Sequence, residues 1–469
     1  MDGQTEQMSA PAQSEGEVNF SPRRRKWSAD NHGAQTKALL ERDAKYFLHQ
    51  SVSTPCLSAV RKAEGVYLED YDGRRYMDFH GNNVHHIGYG HPDLKKAITK
   101  QMDELPFAPR RFSCDPAVDL AEKIATIAPG DLSKVLFTTG GSDANEVAMK
   151  VARAKTGRFK TISFWDSFHG AGFGASSVGG EQLFRGGPIG PLLPGSEHVA
   201  PFGCYRCVYG HQCDDQGQPD LDKCGLACAN MVKYVLEKEG DVAAVIAEPA
   251  RAVPYLPPKG FWQAVRKACH EAGALLIFDE IPTGLGKTGK FFACDHDEVV
   301  PDILVMGKAL GGGILPIAAA VCHPDLDVAG EYAFGHYTHE KNPVTTRAAL
   351  TTIEIIEREN LVENAANVGG HGLKRLMDMK DKYQLIGDVR GRGMLFGCEL
   401  VLDRAEKTPA TDAAEEILYR ALDDGLSFKI SMGSVLTFTP PLVTTLEQMD
   451  RAMDVIERAI AEINTRLFG

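Results

Sequence analysis

Long hydrophobic runs are missing from the sequence: stretches such as VAAVIA and ALLIF are far shorter than the roughly 20 apolar residues of a transmembrane helix. The polar, acidic N-terminus lacks the apolar core of a secretory signal, so we expect a cytoplasmic protein with reduced thiols. Excess positive charge is missing too, because the net charge of −12 argues against nucleic acid or a membrane surface as a partner. A basic helix-turn-helix segment is also absent, which argues against a DNA-binding regulator.

Cysteines are present but unevenly distributed. Five of the 11 fall in one short segment that begins with a C-x-x-C pair: Cys204, Cys207, Cys213, Cys224 and Cys228. Thiolates at such spacing bind zinc in small structural sites. The alternative is a surface insertion with free thiols. Both interpretations stay open, and we include no metal among the expected site residues.

The order of apolar and amphipathic stretches predicts the fold class. Between about residues 90 and 320, short apolar runs alternate with helical patterns, which predicts an α/β fold with a mostly parallel, helix-covered sheet. Ligands bind such sheets at the carboxyl ends of the strands. The segment GVYLEDYDGRRYMDF predicts a hairpin, and Ser142 and Gly157 predict the two ends of one helix.

We divide the chain of 469 residues into four parts on this pattern. The parts are a disordered tail (1–17), an N-terminal segment (18–89), a large domain (90–342), and an interdomain helix with a smaller α+β domain (343–469). We expect the N-terminal segment to join the smaller domain.

Two strand ends carry the most informative residues. Asp279 ends the apolar run ALLIFD, and Lys308 follows the apolar run DILVMG. An acid and a lysine at neighbouring strand ends suit pyridoxal 5′-phosphate (PLP), since the lysine binds the cofactor covalently and the aspartate keeps its pyridine nitrogen protonated. We therefore expect both residues to be catalytic.

Other strand ends add residues that suit the same cofactor. Gly141 and Ser142 stand at a predicted helix start, where backbone N–H groups and the helix dipole bind phosphate. Phe168 follows the next strand and can stack on a ring, although a core aromatic is an equal alternative. Glu248 ends another strand, where a buried acid needs a partner near the cofactor or an arginine.

Two nucleotide-binding interpretations fail on context. Gly284, Gly286 and Gly289 match G-x-G-x-x-G, but the polar residues DEIPT separate them from the strand and a poor helix follows. Gly286, Lys287 and Thr288 resemble the end of a P-loop, whose upstream glycine position holds Ile281.

From about residue 35 to the C-terminus the sequence resembles the class III aminotransferases, which have PLP fold type I. The motifs that carry the resemblance are GGSDANEVAMKVAR, SFHG, AEP, DEIPTGLGKTG, GKALGGG and THEKNP. The resemblance implies a homodimer with active sites at the interface. It assigns Lys308 and Asp279 the roles given above, phosphate binding to Gly141 and Ser142, and the two ring faces to Phe168 and Ile281. Thr338 would reach the phosphate in the partner subunit.

The sequence departs from the aminotransferase pattern at three positions. Thr437 stands where many members have an arginine that binds a substrate carboxylate, Arg251 replaces a glutamine, and Pro282 replaces another. A carboxylate without its bidentate partner loses about 2–5 kcal/mol, which disfavours the keto acid that transamination needs. A lyase needs no keto acid.

The segments NFSPRRRKW, FHGNNVHHIGYGHP and GHYTHEKNPV resemble members of the family that release ammonia from (R)-1-hydroxy-2-aminoethylphosphonate and leave phosphonoacetaldehyde. A dianionic phosphonate needs cations, for which the candidates are Arg110, its neighbour Arg111, Arg251 and Lys341. Candidates to bind the hydroxyl or phosphonate are Asn82, Asn83 and His85. The alternatives are an ω-aminotransferase with a keto acid acceptor, or a phospholyase acting on an amino-alcohol phosphate.

Overall fold

The computed structural model describes residues 21–48, 50, 56–214 and 217–469. The α-helices are α1 Pro22–Asn31, α2 Ala34–Tyr46, α3 Pro92–Glu104, α4 Asp115–Ile127, α5 Gly141–Thr156, α6 Phe173–Val178, α7 Leu221–Cys224, α8 Ala227–Glu239, α9 Phe261–Ala272, α10 Pro343–Arg358, α11 Leu361–Lys382, α12 Thr411–Asp423 and α13 Leu446–Phe468. The predicted disordered tail, residues 1–17, lies outside the described residues.

The strands form three sheets. They are β1 Val60–Glu64, β2 Tyr67–Asp70, β3 Arg75–Asp78, β4 Lys134–Thr138, β5 Lys160–Phe164, β6 Ser196–Val199, β7 Val242–Ala247, β8 Leu275–Asp279, β9 Ile303–Met306, β10 Ala318–Cys322, β11 Ile386–Arg392, β12 Leu395–Asp403, β13 Thr408–Pro409, β14 Leu426–Ser427, β15 Lys429–Ser431 and β16 Val435–Phe438.

The central sheet has the order β4-β10-β9-β8-β7-β5-β6. The pairs from β9 to β6 are parallel, whereas β10 lies antiparallel to both of its neighbours. All six residues of β7 and all four of β9 are buried, because helices cover both faces of the sheet. The predicted α/β class with a mostly parallel sheet is therefore confirmed. The carboxyl ends of β7 and β8 deliver Glu248 and Asp279 to one edge.

One of the two smaller sheets joins an N-terminal segment to a C-terminal one. The predicted hairpin is β2 and β3, and β3 pairs in parallel with β14, so that Met77 lies opposite Leu426. The other small sheet has the order β11-β12-β16-β15 and is antiparallel, with β13 on β12. The domain limits at residues 89/90 and 342/343 stay predictions.

The start of α5 differs from the prediction. Ser142 is not the N-cap residue, because α5 begins at Gly141 after an extended Gly140 that supplies no side-chain cap. Gly157 ends the helix in the left-handed conformation, as predicted. The turn that holds Gly284 to Gly289 leads only to a short 3₁₀ helix, Ala293–His296, and not to the α-helix that a dinucleotide-binding motif requires.

No helix within the described residues is both long and apolar enough to cross a membrane.

Candidate active site

A cavity opens at the carboxyl edge of the central sheet. Its volume of about 430 Å³ is typical of small-molecule sites. All but one of the residues expected to bind a cofactor line it, namely Gly141, Ser142, Phe168, Glu248, Asp279, Ile281 and Lys308. Asn83 and Arg251 line it as well. The fold therefore brings together residues that are far apart in the sequence.

Asp279 lies at the base of this cavity with its carboxylate fixed on both sides. Its Oδ2 accepts hydrogen bonds from Asn145 Nδ2 at 2.8 Å and from His169 Nδ1 at 2.9 Å. Its Oδ1 accepts from the backbone N–H of Ile281 at 3.1 Å. Asp279 is only 1% exposed, so these donors determine its orientation. A carboxylate fixed in this way suits a cationic ring nitrogen.

The N-terminus of α5 packs closely against the cavity wall. A Cβ atom on Gly141 would lie 2.5 Å from Ile281, so a side chain here would displace the cavity wall. Gly170 has a φ of +130°, and a Cβ there would lie 2.3 Å from Ser142 Oγ. Ser142 Oγ accepts from the N–H of Ala171 at 3.0 Å. Glycines and exposed N–H groups let a phosphate approach the backbone closely.

Lys308 enters the cavity from the carboxyl end of the neighbouring parallel strand, β9. It follows Gly307 as the first residue of a 3₁₀ helix, Lys308–Gly311, and its φ is +45°. Left-handed conformations of non-glycine residues are uncommon and cost about 1–3 kcal/mol, and they occur often at active sites. The half-buried lysine is thus held at the cavity wall by its backbone.

Phe168 and Glu248 form a neighbouring part of the wall. The Phe168 ring is 36% exposed and lies 4.6 Å from the Phe184 ring, centroid to centroid. Glu248 accepts hydrogen bonds from the N–H groups of Phe168 at 3.4 Å and Ala252 at 3.1 Å. Burial raises the pKa of Glu248, an effect that the charge of Arg251 opposes.

Arg251 is already engaged by the protein. Its guanidinium lies 3.7 Å from Glu181 Oε1, with both side chains buried, and it donates to the carbonyl of Asp166. Glu181 was not predicted as its partner. In a buried ion pair of this kind, removal of one charge leaves the other buried without compensation.

Five predicted residues do not line the cavity of their own chain: His85, Arg110, Arg111, Thr338 and Lys341. His85 is fully buried and donates through Nε2 to the carbonyl of Asp78 at 3.0 Å. The other four are exposed. Phe107 and His339 contact each other with ring centroids 5.4 Å apart, so the segments that carry Arg110 and Lys341 lie side by side.

The cavity also contains residues that the sequence interpretation missed. His169 was noted within SFHG but received no role, and its contact with Asp279 is a long-range one. His80 and Lys429 line the wall without having been predicted. Burial lowers the pKa of His80 to about 4, and the charge of Lys429 is the second cause of this shift. The His80 ring is therefore neutral near pH 7. In the sequence, only the turn residues GNN beside His80 indicated this part of the cavity wall.

The cysteine-rich segment lies apart from this cavity. Cys204 and Cys207 have half-buried free thiols, and burial raises the pKa of Cys204 to about 12. Throughout the part of the chain that the structure describes, no grouping of three or more histidine, cysteine or acidic residues suits a metal ion. Cys204, Cys207, Cys224 and Cys228 line one small cavity, and both interpretations of this segment stay open.

The cavity as a whole fits PLP. Glycines at a helix start, a fixed carboxylate, a lysine and a partly exposed aromatic ring all line one space. A ring cofactor with a phosphate at one end and a basic nitrogen at the other needs this set of groups.

Comparisons with known proteins agree with this geometry. The family model described as aminotransferase class-III matches residues 49–460. The chain is 44% identical to "(R)-1-hydroxy-2-aminoethylphosphonate ammonia-lyase" of Vibrio splendidus (strain 12B01), over 96% of this chain and 95% of that protein. It is 37% identical to "Leucine/methionine racemase" of Thermococcus litoralis, over 92% of this chain and 97% of that protein.

A solved structure, the ω-transaminase from Pseudomonas jessenii in complex with PMP, has a TM-score of 0.84 and 29% identity. The match covers 91% of this chain and 98% of that chain. The family model and these relatives together show the family, and with it the PLP fold type I and the cofactor. The chain is therefore a PLP-dependent enzyme that belongs to the class III aminotransferase family.

Proposed function

We propose that this chain is an ammonia-lyase that converts (R)-1-hydroxy-2-aminoethylphosphonate to phosphonoacetaldehyde and ammonia. The observation that carries the proposal is the neutral residue Thr437. It is 2% exposed and donates to Ser431 Oγ at 3.0 Å, so its own side chain gives a keto acid carboxylate neither a charge nor a bidentate partner. A dehydrating lyase needs no second substrate of that kind. The 44% identity to the Vibrio splendidus enzyme supports the same reaction.

PLP, when bound, supplies an electron sink for the carbon that bears the amine. In our proposal, Asp279 keeps the ring nitrogen protonated, and Asn145 and His169 hold Asp279 in place. Gly141 and Ser142 hold the phosphate, Phe168 and Ile281 contact the ring, and Glu248 lies beside them. Each role follows from the placement of these residues around one cavity.

Lys308 carries the proton transfer in this proposal. Its amine removes a proton from the amine-bearing carbon, and the electron pair left behind expels the hydroxyl group from the neighbouring carbon as water. The released enamine tautomerises to an imine, takes up one water and yields phosphonoacetaldehyde and ammonia. One water leaves and one returns, so no oxidant, reductant or keto acid is required.

We further propose a homodimer in which each subunit completes the site of the other. Thr338 and Lys341 are exposed and lie outside the cavity of their own chain, which supports a role in the partner's site. Arg110 belongs to the same group, because its loop contacts the segment that carries Lys341. The cytoplasmic location stays an expectation from the sequence.

The test is ammonia release from the purified PLP-loaded protein, given racemic 1-hydroxy-2-aminoethylphosphonate without any keto acid. Sustained release with about half of the racemate consumed and phosphonoacetaldehyde formed supports a stereoselective lyase. Turnover only in the presence of pyruvate identifies the chain as an ω-aminotransferase instead. Release from an amino-alcohol phosphate, with inorganic phosphate as the second product, makes it a phospholyase.

A further inference from the structure

His80 and Lys429 meet because two distant segments share a sheet. β3 and β14 pair in parallel, with Met77 opposite Leu426 and Asp78 opposite Ser427. His80 and Lys429 lie two residues beyond the last pair on their respective segments. Both line the cavity. The charge of Lys429 also helps to lower the pKa of the His80 ring.

The turn that follows β3 is held firmly in this position. The N–H of Phe79 donates to the carbonyl of Ser427 at 2.8 Å, and Thr439 donates to the carbonyls of Phe79 and His80. Asn82 and Asn83 follow with φ values of +47° and +60°, a conformation that non-glycine residues adopt rarely. Backbone conformations of this unfavourable kind, held in place by surrounding hydrogen bonds, are frequent at ligand-binding sites.

Two buried polar atoms of this turn lack a hydrogen-bond partner within the described residues. They are Nε2 of His80 and Oδ1 of Asn83, and both side chains line the cavity. Asn83 is 7% exposed, so solvent does not readily satisfy its amide. Native proteins seldom leave such atoms unpaired, and a ligand is one partner that satisfies them. An anion binds the Asn83 amide only through Nδ2, so its binding requires the amide to turn by about 180°.

Lys429 lies on the strand next to Thr437. In the β15–β16 pair, Lys429 lies directly opposite Thr437, and directly opposite residues of an antiparallel pair point to the same face. The positive charge is thus present on the adjacent strand. Arg251, the cation expected from the sequence, is paired with Glu181 and the carbonyl of Asp166.

We propose that Lys429, His80 and Asn83 form the subsite that binds the anionic head group of the substrate, a phosphonate or a phosphate monoester. Lys429 supplies the charge, and the two turn residues supply directed donors. This subsite is separate from the start of α5, where the phosphate of the cofactor binds. The substrate class rests on the proposed function, whereas binding of the anion can be measured without turnover.

The experiment compares Lys429→Met, Lys429→Arg and the control Lys374→Met, which removes an exposed lysine of α11 outside the cavity. Each PLP-loaded protein is titrated with methylphosphonate and, separately, with inorganic phosphate, and binding is followed through the visible absorption of the cofactor. We expect Lys429→Met to weaken anion binding and raise KM at least roughly tenfold. Lys429→Arg should recover most of the affinity, and Lys374→Met should match the wild type.

The outcomes separate this subsite from the proposed reaction. If the wild type releases no ammonia but its anion affinity depends on Lys429, the reaction is wrong and the subsite stands. If ammonia is released and Lys429→Met changes neither KM nor anion affinity by more than about twofold, the subsite is wrong and the reaction stands. Preference for phosphate over methylphosphonate identifies a phosphate monoester.

If Lys429→Met fails to retain the cofactor, His80→Gln and Asn83→Ala take its place. Both should reduce anion affinity roughly threefold or more while the cofactor absorption stays that of the wild type. Unchanged affinity in both variants overturns the subsite.

Discussion

His169 Nδ1 lies 2.9 Å from Asp279 Oδ2, and both side chains are almost completely excluded from solvent. The imidazole N–H therefore holds the carboxylate that faces the cavity, and Asn145 adds a second donor to the same oxygen. His169 is a positioning residue in this arrangement, since its proposed effect on the cofactor passes through Asp279.

Replacement of His169 by alanine should weaken cofactor binding. Loss of one buried donor to a charged oxygen costs about 1–3 kcal/mol, so we expect the dissociation constant of PLP to rise roughly tenfold or more. His169→Asn, which keeps an N–H donor, should lose less. Absorbance titration of the cofactor-free protein measures both, and equal affinity in all three proteins contradicts the role.

Lys308→Ala should abolish turnover and the visible absorption of lysine-bound PLP, because no other lysine is expected to bind the cofactor covalently. Lys374→Ala is the control, as it removes an exposed lysine outside the cavity. Spectra of both loaded proteins are recorded before and after dialysis. Turnover that survives in Lys308→Ala shows that this residue is neither the covalent attachment point nor the base.

The pair formed by Arg251 and Glu181 allows structural and functional roles to be separated. Arg251→Gln leaves Glu181 buried beside a neutral group, so we expect the free energy of unfolding to fall by about 3 kcal/mol. The double variant Arg251→Gln with Glu181→Gln should regain much of this stability. If Arg251 also binds the phosphonate, kcat/KM stays low in the double variant; recovery of kcat/KM restricts Arg251 to a structural role.

Buried Lys287 should make stability depend on pH. Its ammonium donates to the carbonyl of Pro440 at 2.9 Å, and burial lowers its pKa from 10.5 to about 7. Between these values the unfolded chain binds more protons than the folded one, so the free energy of unfolding rises as pH increases from about 7 to 10.5 and decreases again as pH falls back to 7.

We therefore compare the free energies of unfolding of the wild type and Lys287→Met. The wild-type value minus the variant value should rise by roughly 1 kcal/mol for each pH unit between 7 and 10. Denaturant unfolding at several pH values measures this difference. A difference that does not vary with pH shows that Lys287 keeps an ordinary pKa.

Mixed dimers test whether Thr338 acts across the subunit interface. Thr338→Asp should repel the phosphate of the cofactor, and Lys308→Ala removes the base, so neither protein is active alone. After unfolding and refolding together, a random mixture should regain roughly a quarter of wild-type activity, because each heterodimer has one intact site. No recovery, with heterodimers verified by mass, contradicts an interface site.

Local patterns were enough to predict much of the fold and of the cofactor site. Asp279 and Lys308 stand at the ends of apolar runs, and a parallel sheet necessarily brings such ends to one edge. The antiparallel β10 was not predicted, since its alanine-rich run carries no sign of direction. His80 and Lys429 reach the same cavity through the pairing of β3 with β14, which is long-range and leaves no local pattern.

The pairing of β3 with β14 also has a consequence for biosynthesis. Met77 is made early and Leu426 late, and His80 acquires its neighbour only when the second strand leaves the ribosome. The nascent chain can form most of the central sheet before that moment, yet one wall of the cavity is still missing. Substrate selection by the proposed subsite would therefore require the finished polypeptide, and fragments that stop before residue 426 should retain the lysine and the aspartate without a complete pocket.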